Sequence, residues 1–119
     1  MWKKLFGLES SNSSVKVQNM SVQELHQRLQ NDKKLLLLDV RTDQEYRQDG
    51  HIAKTRHIPL SNLAQQSAKL PKDRTIVCIC RSGNRSRSAC QQLANEGFTE
   101  VINLSGGMIA WRQAGLPVK

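Results

Sequence analysis

Apolar residues in this chain form short runs that alternate with amphipathic stretches. Three runs have the length of a β-strand and few polar interruptions: KLLLLDV at 34–40, RTIVCIC at 74–80 and EVINL at 100–104. A shorter run, HIPL, lies at 57–60. Runs that are apolar on both faces are typical of parallel strands that other elements cover. We therefore predict buried strands at 34–40, 74–80 and 100–104, and a short segment that begins at HIPL.

The stretches between these runs carry helix patterns. Ser21, with Glu24 three residues later, has the form of a capping box that opens VQELHQRLQ. TDQEYRQ and SNLAQQSAKL predict two further helices. In RSRSACQQLANEG, apolar and small residues recur at helical spacing before Gly97, which we expect to end the helix. GGMIAWRQAG predicts the last helix.

Strands that alternate with helices indicate an α/β domain with a parallel sheet and helices on both faces. We assign residues 15–119 to this domain, and residues 1–14, which end in the polar spacer SSNSS, to a flexible N-terminal segment. In such sheets, ligands bind beyond the carboxyl ends of the strands. Asp39 and Cys80 both lie where a predicted strand ends, so we expect both at the functional edge.

The charge of the chain narrows the classes of partner. Its 119 residues fit one domain. The formal net charge of +8 favours binding to nucleic acid, to an acidic membrane surface or to a small anionic substrate. Aromatic residues make up only 4% and no nucleic-acid-reading motif is present, which argues against nucleic acid. No stretch approaches the about 20 apolar residues of a membrane span. We expect a cytoplasmic monomer.

Three cysteines, Cys78, Cys80 and Cys90, cannot all form disulfides with one another. An odd number is typical of free thiols in a reducing compartment. On a strand, Cys78 would point to the same face as Cys80, and Cys90 falls on the apolar stripe of its helix, so we expect both to pack in the core. The three histidines form no cluster with metal-ligand spacing, and we expect no metal or cofactor.

Cys80 stands at a predicted turn from strand to helix, CRSGNRS. Unpaired N–H groups at such a turn, together with the helix dipole, bind anions and lower the pKa of a thiol below its free value of about 8.5. Gly83 lets the chain bend, and the other side chains add hydrogen-bonding groups or positive charge. We predict a nucleophilic Cys80 beside an anion site formed by Arg81, Ser82, Gly83, Asn84, Arg85 and Ser86.

Four segments resemble single-domain rhodaneses, the thiosulfate sulfurtransferase-like proteins, in order and spacing: LLDVRTDQEYRQDGHI, IPL, CRSGNRS and GGMIAWRQAGLPV. The resemblance covers about residues 15–118. It implies a three-layer α/β domain with a central, mostly parallel five-stranded sheet flanked by helices. One departure concerns the turn after GHI, where such proteins usually have Gly-Ala and then Asn before IPL. Lys54, Thr55 and His57 stand there instead, which leaves the geometry of this turn open.

The resemblance also implies a reaction. Cys80 matches the cysteine that takes a sulfane sulfur from a small anionic donor such as thiosulfate and holds it as a persulfide. Arg81 to Ser86 match the loop that binds the donor. A thiophilic acceptor, which is cyanide, a thiol or a sulfur-acceptor protein, then removes the sulfur. Two half-reactions through a covalent intermediate predict ping-pong kinetics.

Two other functions compete with this one. Cysteine phosphatases use a similar loop but place Arg sixth after the cysteine, where this chain has Ser86, so we expect no useful hydrolysis of aryl phosphates. A rhodanese-like domain can also serve as a protein-interaction or sulfur-relay module without strong thiosulfate turnover. Such modules often lack the cysteine, whereas this chain keeps Cys80 and its basic loop.

Overall fold

The computed structural model describes residues 16–119, and the predicted N-terminal segment at 1–14 lies outside this range. The helices and strands are β1 (Gln18–Met20), α1 (Val22–Asn31), β2 (Leu36–Asp39), α2 (Asp43–Gln48), β3 (Arg56–His57), α3 (Leu63–Gln66), β4 (Thr75–Ile79), α4 (Asn84–Asn95), β5 (Glu100–Leu104) and α5 (Gly107–Gln113). Single 3₁₀ turns precede and follow α3. No helix within 16–119 is long and apolar enough to cross a membrane.

The five strands form one sheet in the order β1-β5-β4-β2-β3, and every neighbouring pair is parallel. The predicted parallel α/β architecture is confirmed. β4, which leads into Cys80, is the central strand. The hydrophobic pattern did not indicate β1, because this edge strand has only three residues and exposes Gln18 and Asn19.

Helices cover both faces of the sheet and make three layers. Successive residues of β4 point to opposite faces, as the geometry of a strand requires: Ile76 and Cys78 join one core cluster, and Val77 joins the other. α3 and α4 pack on the first face, while α1 and α5 pack on the second. Trp111 of α5 is 1% exposed and donates its indole N–H to the Pro117 carbonyl at 2.8 Å, which ties the C-terminal residues to the core.

Side-chain caps set the start of two helices. Ser21 caps α1 as predicted, since its hydroxyl accepts the backbone N–H of Glu24 at 3.1 Å. The complete capping box is at α2, where Thr42 and Glu45 each bond to the backbone N–H of the other. This cap places the Glu45 carboxylate at the carboxyl edge of the sheet, next to the predicted site.

The region predicted as one helix at 61–70 is irregular instead. Only Leu63–Gln66 is α-helical, with 3₁₀ turns at Leu60–Asn62 and Ser67–Lys69. The backbone leaves regular helix at Asn62 and Gln66, whose ψ angles are −1° and −7°. No side chain caps the start of the α-helical turn, and a four-residue helix has little cooperativity to resist this interruption.

Candidate active site

Cys80 follows directly after β4, and the chain turns through Arg81 and Ser82 into α4. Gly83 is the residue before α4 and has φ of 106°, a conformation that side chains other than Gly rarely adopt. The turn is short, so the first N–H groups of α4 lie close to Cys80. The predicted strand-to-helix junction is therefore present.

The Cys80 sulfur accepts hydrogen bonds from this loop. The Gly83 N–H donates to Sγ at 3.0 Å, and the Ser86 hydroxyl lies 3.3 Å from Sγ. Burial raises the pKa of the Cys80 thiol, but hydrogen bonds from the Ser86 hydroxyl and from the N–H groups of Ser86, Gly83 and Ser82 outweigh it, so the pKa falls below its ordinary value. These contacts favour the thiolate.

Cys80 is 1% exposed, so its sulfur lies at the floor of the loop and not on the surface. Arg81, Ser82 and Asn84 are exposed around it, whereas Gly83 and Ser86 are buried. A reactant must therefore approach through the loop. This arrangement suits a small molecule or the end of an extended chain better than a broad surface.

The start of α5 supports the loop from behind. The N–H groups of Met108 and Ile109 donate to the carbonyls of Cys80 and Arg81, at 2.9 and 3.0 Å. Gly107 makes this approach possible: a Cβ atom there would lie 2.6 Å from the Arg81 carbonyl oxygen and closer still to that of Cys80. These bonds hold the backbone of Cys80 and Arg81 against α5 and so fix the position of the loop.

Arg85 does not reach freely into the loop. Its two terminal nitrogens bond to the two carboxylate oxygens of Glu45 at 2.7 and 2.8 Å. Hydrogen bonds from Arg85, together with those of Thr42, hold the pKa of Glu45 at about 2 against the opposing effect of burial. The sequence predicted Arg85 as part of the anion site, and in the structure its guanidinium joins α4 to α2.

Comparison with known proteins identifies the fold around this loop. The profile of the Rhodanese-like domain matches residues 21–114. The chain belongs to the rhodanese-like domain family. The resemblance drawn from its four sequence segments is thereby confirmed.

Relatives of this rhodanese-like domain include proteins of its own size. One from Allochromatium vinosum, named Sulfurtransferase, is 40% identical over 86% of this chain and 94% of its own. A Bacillus subtilis protein named as a candidate sulfur carrier, YrkF, is 34% identical over 88% of this chain and 56% of its own. The crystal structure of a rhodanese-related protein from Thermoplasma volcanium has a TM-score of 0.77 at 31% identity, covering 86% and 97% of the two chains.

Asn103 is a member of the site that the sequence analysis missed. It is 0% exposed in β5, where its amide bonds to the Ser86 hydroxyl and donates to the Gly83 carbonyl at 3.1 Å. The available signal was a lone amide inside the apolar run EVINL, because a buried polar side chain needs hydrogen-bond partners. Nothing in the local pattern indicates which partners those are.

The other two cysteines lie in the core, as predicted. Both are buried in the same cluster as Cys80. Hydrogen bonding to Cys90 and burial raise the pKa of the Cys78 thiol well above its ordinary value. A thiol held neutral in the core is a poor nucleophile. Cys80 is therefore the cysteine suited to react in this rhodanese-like domain.

Asp39 and Arg41 form a buried ion pair at the carboxyl end of β2. Arg41 Nη2 donates to Asp39 Oδ2 at 2.8 Å and also to the Gly50 carbonyl at 2.8 Å. Both charged residues are at most 1% exposed. The pair ties the end of β2 to the turn after α2, so both side chains stabilise the fold at this edge of the sheet.

Local contacts stabilise the turn that departs from the usual rhodanese pattern. Lys54 has φ of 65°, so it takes the left-handed conformation where these proteins usually have Gly. His57 donates from Nε2 to the Arg41 carbonyl at 2.7 Å. The Tyr46 ring stacks between His51 and His57, with centroids 3.9 and 4.2 Å apart. Both imidazoles therefore hold the turn in place.

Proposed function

We propose that this protein is a sulfurtransferase that carries a sulfane sulfur as a persulfide on Cys80. The observation that carries the proposal is the sulfur at the floor of the loop, where Gly83 donates to it at 3.0 Å and Ser86 lies at 3.3 Å. Membership of the rhodanese-like family and similarity to the Allochromatium sulfurtransferase support the same activity class.

The first half-reaction loads the sulfur. The Cys80 thiolate attacks the outer sulfur of thiosulfate, a new S–S bond forms, and the old S–S bond breaks so that sulfite leaves with its electron pair. The negative charge then lies on the outer sulfur of the persulfide. The N–H groups of Ser82, Gly83 and Ser86, which lower the pKa of the thiol, are in place to bind the anionic donor as well.

The second half-reaction returns the enzyme to its starting state. An acceptor thiolate or cyanide attacks the outer sulfur, and the electrons of the broken S–S bond regenerate the Cys80 thiolate. Both steps pass through one covalent intermediate, so the kinetics are ping-pong. Cys78, Cys80 and Cys90 are all free thiols, which is typical of a reducing compartment, and we propose the cytoplasm as the location on this ground.

The loop side chains divide into two roles. Arg81, Ser82 and Asn84 are exposed at the entrance and contact the donor as it enters. Arg85, fixed by its ion pair with Glu45, orients the first turn of α4. This positive loop selects an anionic donor such as thiosulfate.

A second candidate function is relay of sulfur between proteins, with thiosulfate turned over only slowly. Similarity to YrkF, named as a candidate sulfur carrier, favours it, and so does the 1% exposure of Cys80, which suits delivery by an extended chain end. The two functions share the Cys80 persulfide and differ only in donor and acceptor.

The test is a panel of donors and acceptors measured on the wild type, Cys80→Ser and Cys90→Ala. We expect thiosulfate to add the mass of one sulfur atom to the wild type and to Cys90→Ala, but not to Cys80→Ser. Turnover with cyanide or a small thiol supports the enzyme, whereas loading with release only to a carrier protein supports the relay. The absence of any sulfur adduct, or efficient hydrolysis of p-nitrophenyl phosphate, would contradict both.

A further inference from the structure

Asn103 lies between the loop and the sheet, with partners on two sides. In β5 it stands opposite Cys78 of β4 and Asn19 of β1. Its Nδ2 donates to the Gly83 carbonyl at 3.1 Å and to Asn19 Oδ1 at 3.4 Å. Its Oδ1 accepts the hydroxyl proton of Ser86. The side chain thus contacts Gly83 and Ser86, two of the residues that bond to the Cys80 sulfur.

The Gly83 carbonyl fixes the orientation of this amide. A carbonyl only accepts hydrogen bonds, so the NH₂ group must face it and Oδ1 must face Ser86. The Ser86 hydroxyl is the hydrogen-bond donor that the described structure gives to Oδ1. A serine hydroxyl has one proton to donate, while its oxygen accepts from other groups.

The Cys80 sulfur needs that same proton when it is ionised. As a thiol, Cys80 can donate its own S–H to Ser86 Oγ, 3.3 Å away, while Ser86 donates to Asn103. A thiolate has no proton and can only accept, so the Ser86 hydroxyl can stabilise it only by turning its proton towards sulfur. Asn103 Oδ1 then loses its donor inside the core, which is unfavourable.

We propose that Asn103 is a positioning residue that competes with the Cys80 sulfur for the single hydroxyl proton of Ser86. The inference deepens the proposed function, because it rests on Cys80 as the nucleophile. Ser86 stabilises the thiolate, and Asn103 limits that stabilisation. The loop therefore makes the thiol acidic without making the thiolate inert, since the intrinsic nucleophilicity of a thiolate falls as its pKa falls.

The same competition favours the loaded state over the free thiolate. In a persulfide the charge lies on the outer sulfur, and the inner sulfur is no longer an anion that needs the Ser86 proton. The hydroxyl can then return to Asn103 Oδ1, which regains its hydrogen bond. Loading of sulfur thus relieves the unpaired amide oxygen that ionisation created.

The test is the Asn103→Leu variant, assayed by the rate of Cys80 alkylation with iodoacetamide as a function of pH. Leu removes the competing acceptor, so we expect the midpoint to fall by about one pH unit, the effect of one hydrogen bond. The plateau rate at high pH should fall about threefold, from a Brønsted coefficient of about 0.4–0.5. A purely structural Asn103 would give the opposite sign, because a loosened loop loses donors to sulfur and the midpoint rises. A raised or unchanged midpoint overturns the proposal.

Two controls separate the proton competition from other effects. Asn19→Ala removes the other Nδ2 contact but leaves Oδ1 untouched, so its midpoint should equal that of the wild type. In a Ser86→Ala background there is no proton to compete for, so adding Asn103→Leu should give no downward shift. A downward shift of equal size in that background would overturn the proposal.

A measurement on the wild type keeps the proposal testable if Asn103→Leu does not fold. The ¹³Cγ chemical shift of Asn103 should titrate with the same midpoint as the alkylation of Cys80, and an Asn103 signal that does not titrate contradicts the competition. Alkylation requires no sulfur donor. Failure of the competition is therefore distinguishable from failure of sulfurtransferase activity.

Discussion

Gly107→Ala is the substitution that most directly tests how the fold holds the loop. The new Cβ would lie 2.6 Å from the Arg81 carbonyl oxygen and closer still to that of Cys80, so this backbone must move by at least about 0.8 Å to reach the 3.4 Å of ordinary contact. The positive φ of 54° costs Ala about 1–2 kcal/mol, and the crowding adds about 1–3 kcal/mol. We expect urea unfolding to show a loss of about 2–5 kcal/mol, and sulfur transfer to fall by on the order of 100-fold, because misplacement by about 1 Å has such effects.

Gly115→Ala is the matched control for this variant. Gly115 also has a positive φ, of 71°, but a Cβ there meets nothing within 4 Å. It should therefore lose only the about 1–2 kcal/mol of backbone strain and keep wild-type sulfur transfer. Equal unfolding free energies for the two variants, or an unimpaired Gly107→Ala enzyme, would refute the argument that close packing of α5 positions Cys80.

Other predictions concern ion pairs and backbone strain. Asp39→Asn should cost about 3–5 kcal/mol of unfolding free energy, because it leaves Arg41 charged and buried, whereas Leu at both positions should cost much less by the same urea assay. The pKa of Glu45 is lowered from 4.5 to about 2 in the folded protein, so its contribution to stability is complete above pH 4.5 and lost as the pH falls towards 2. In Glu45→Gln, the urea midpoint should depend less on pH across this range. A pH dependence equal to that of the wild type would contradict the ion pair with Arg85. Lys54→Gly should raise the urea midpoint, because the left-handed backbone costs Lys about 1 kcal/mol, which exceeds the entropy cost of Gly. A lower urea midpoint would show that the Lys54 side chain stabilises the turn.

The parts of the fold that sequence alone predicted are those with strong local patterns. β2, β4 and β5 are continuous apolar runs because helices cover both of their faces. α4 was predicted because apolar residues recur at helical spacing along its twelve residues, which is long enough for the period to be recognised. β1 and the split region around α3 were not predicted, because elements of three or four residues carry too few positions for a period to show.

The site divides in the same way between local and distant residues. Cys80 and its loop occupy one continuous stretch, so the strand-to-helix junction and its anion-binding character could be predicted from the chain. Glu45 lies 40 positions from Arg85, and Asn103 lies 17 from Ser86. Contacts of this kind exist only once the parallel strands are aligned, and one sequence does not encode which charged or amide groups meet.

Much of the hydrogen bonding to the Cys80 sulfur comes from main-chain N–H groups, which every residue except Pro supplies. Exchanging the exposed side chains of Arg81, Ser82 and Asn84 would therefore leave those donors in place. Chemistry and selectivity thus reside in different atoms of one short loop. A library of variants at these three positions could therefore change which sulfur compounds the loop binds. The main-chain hydrogen bonds to the Cys80 sulfur would stay the same in every variant.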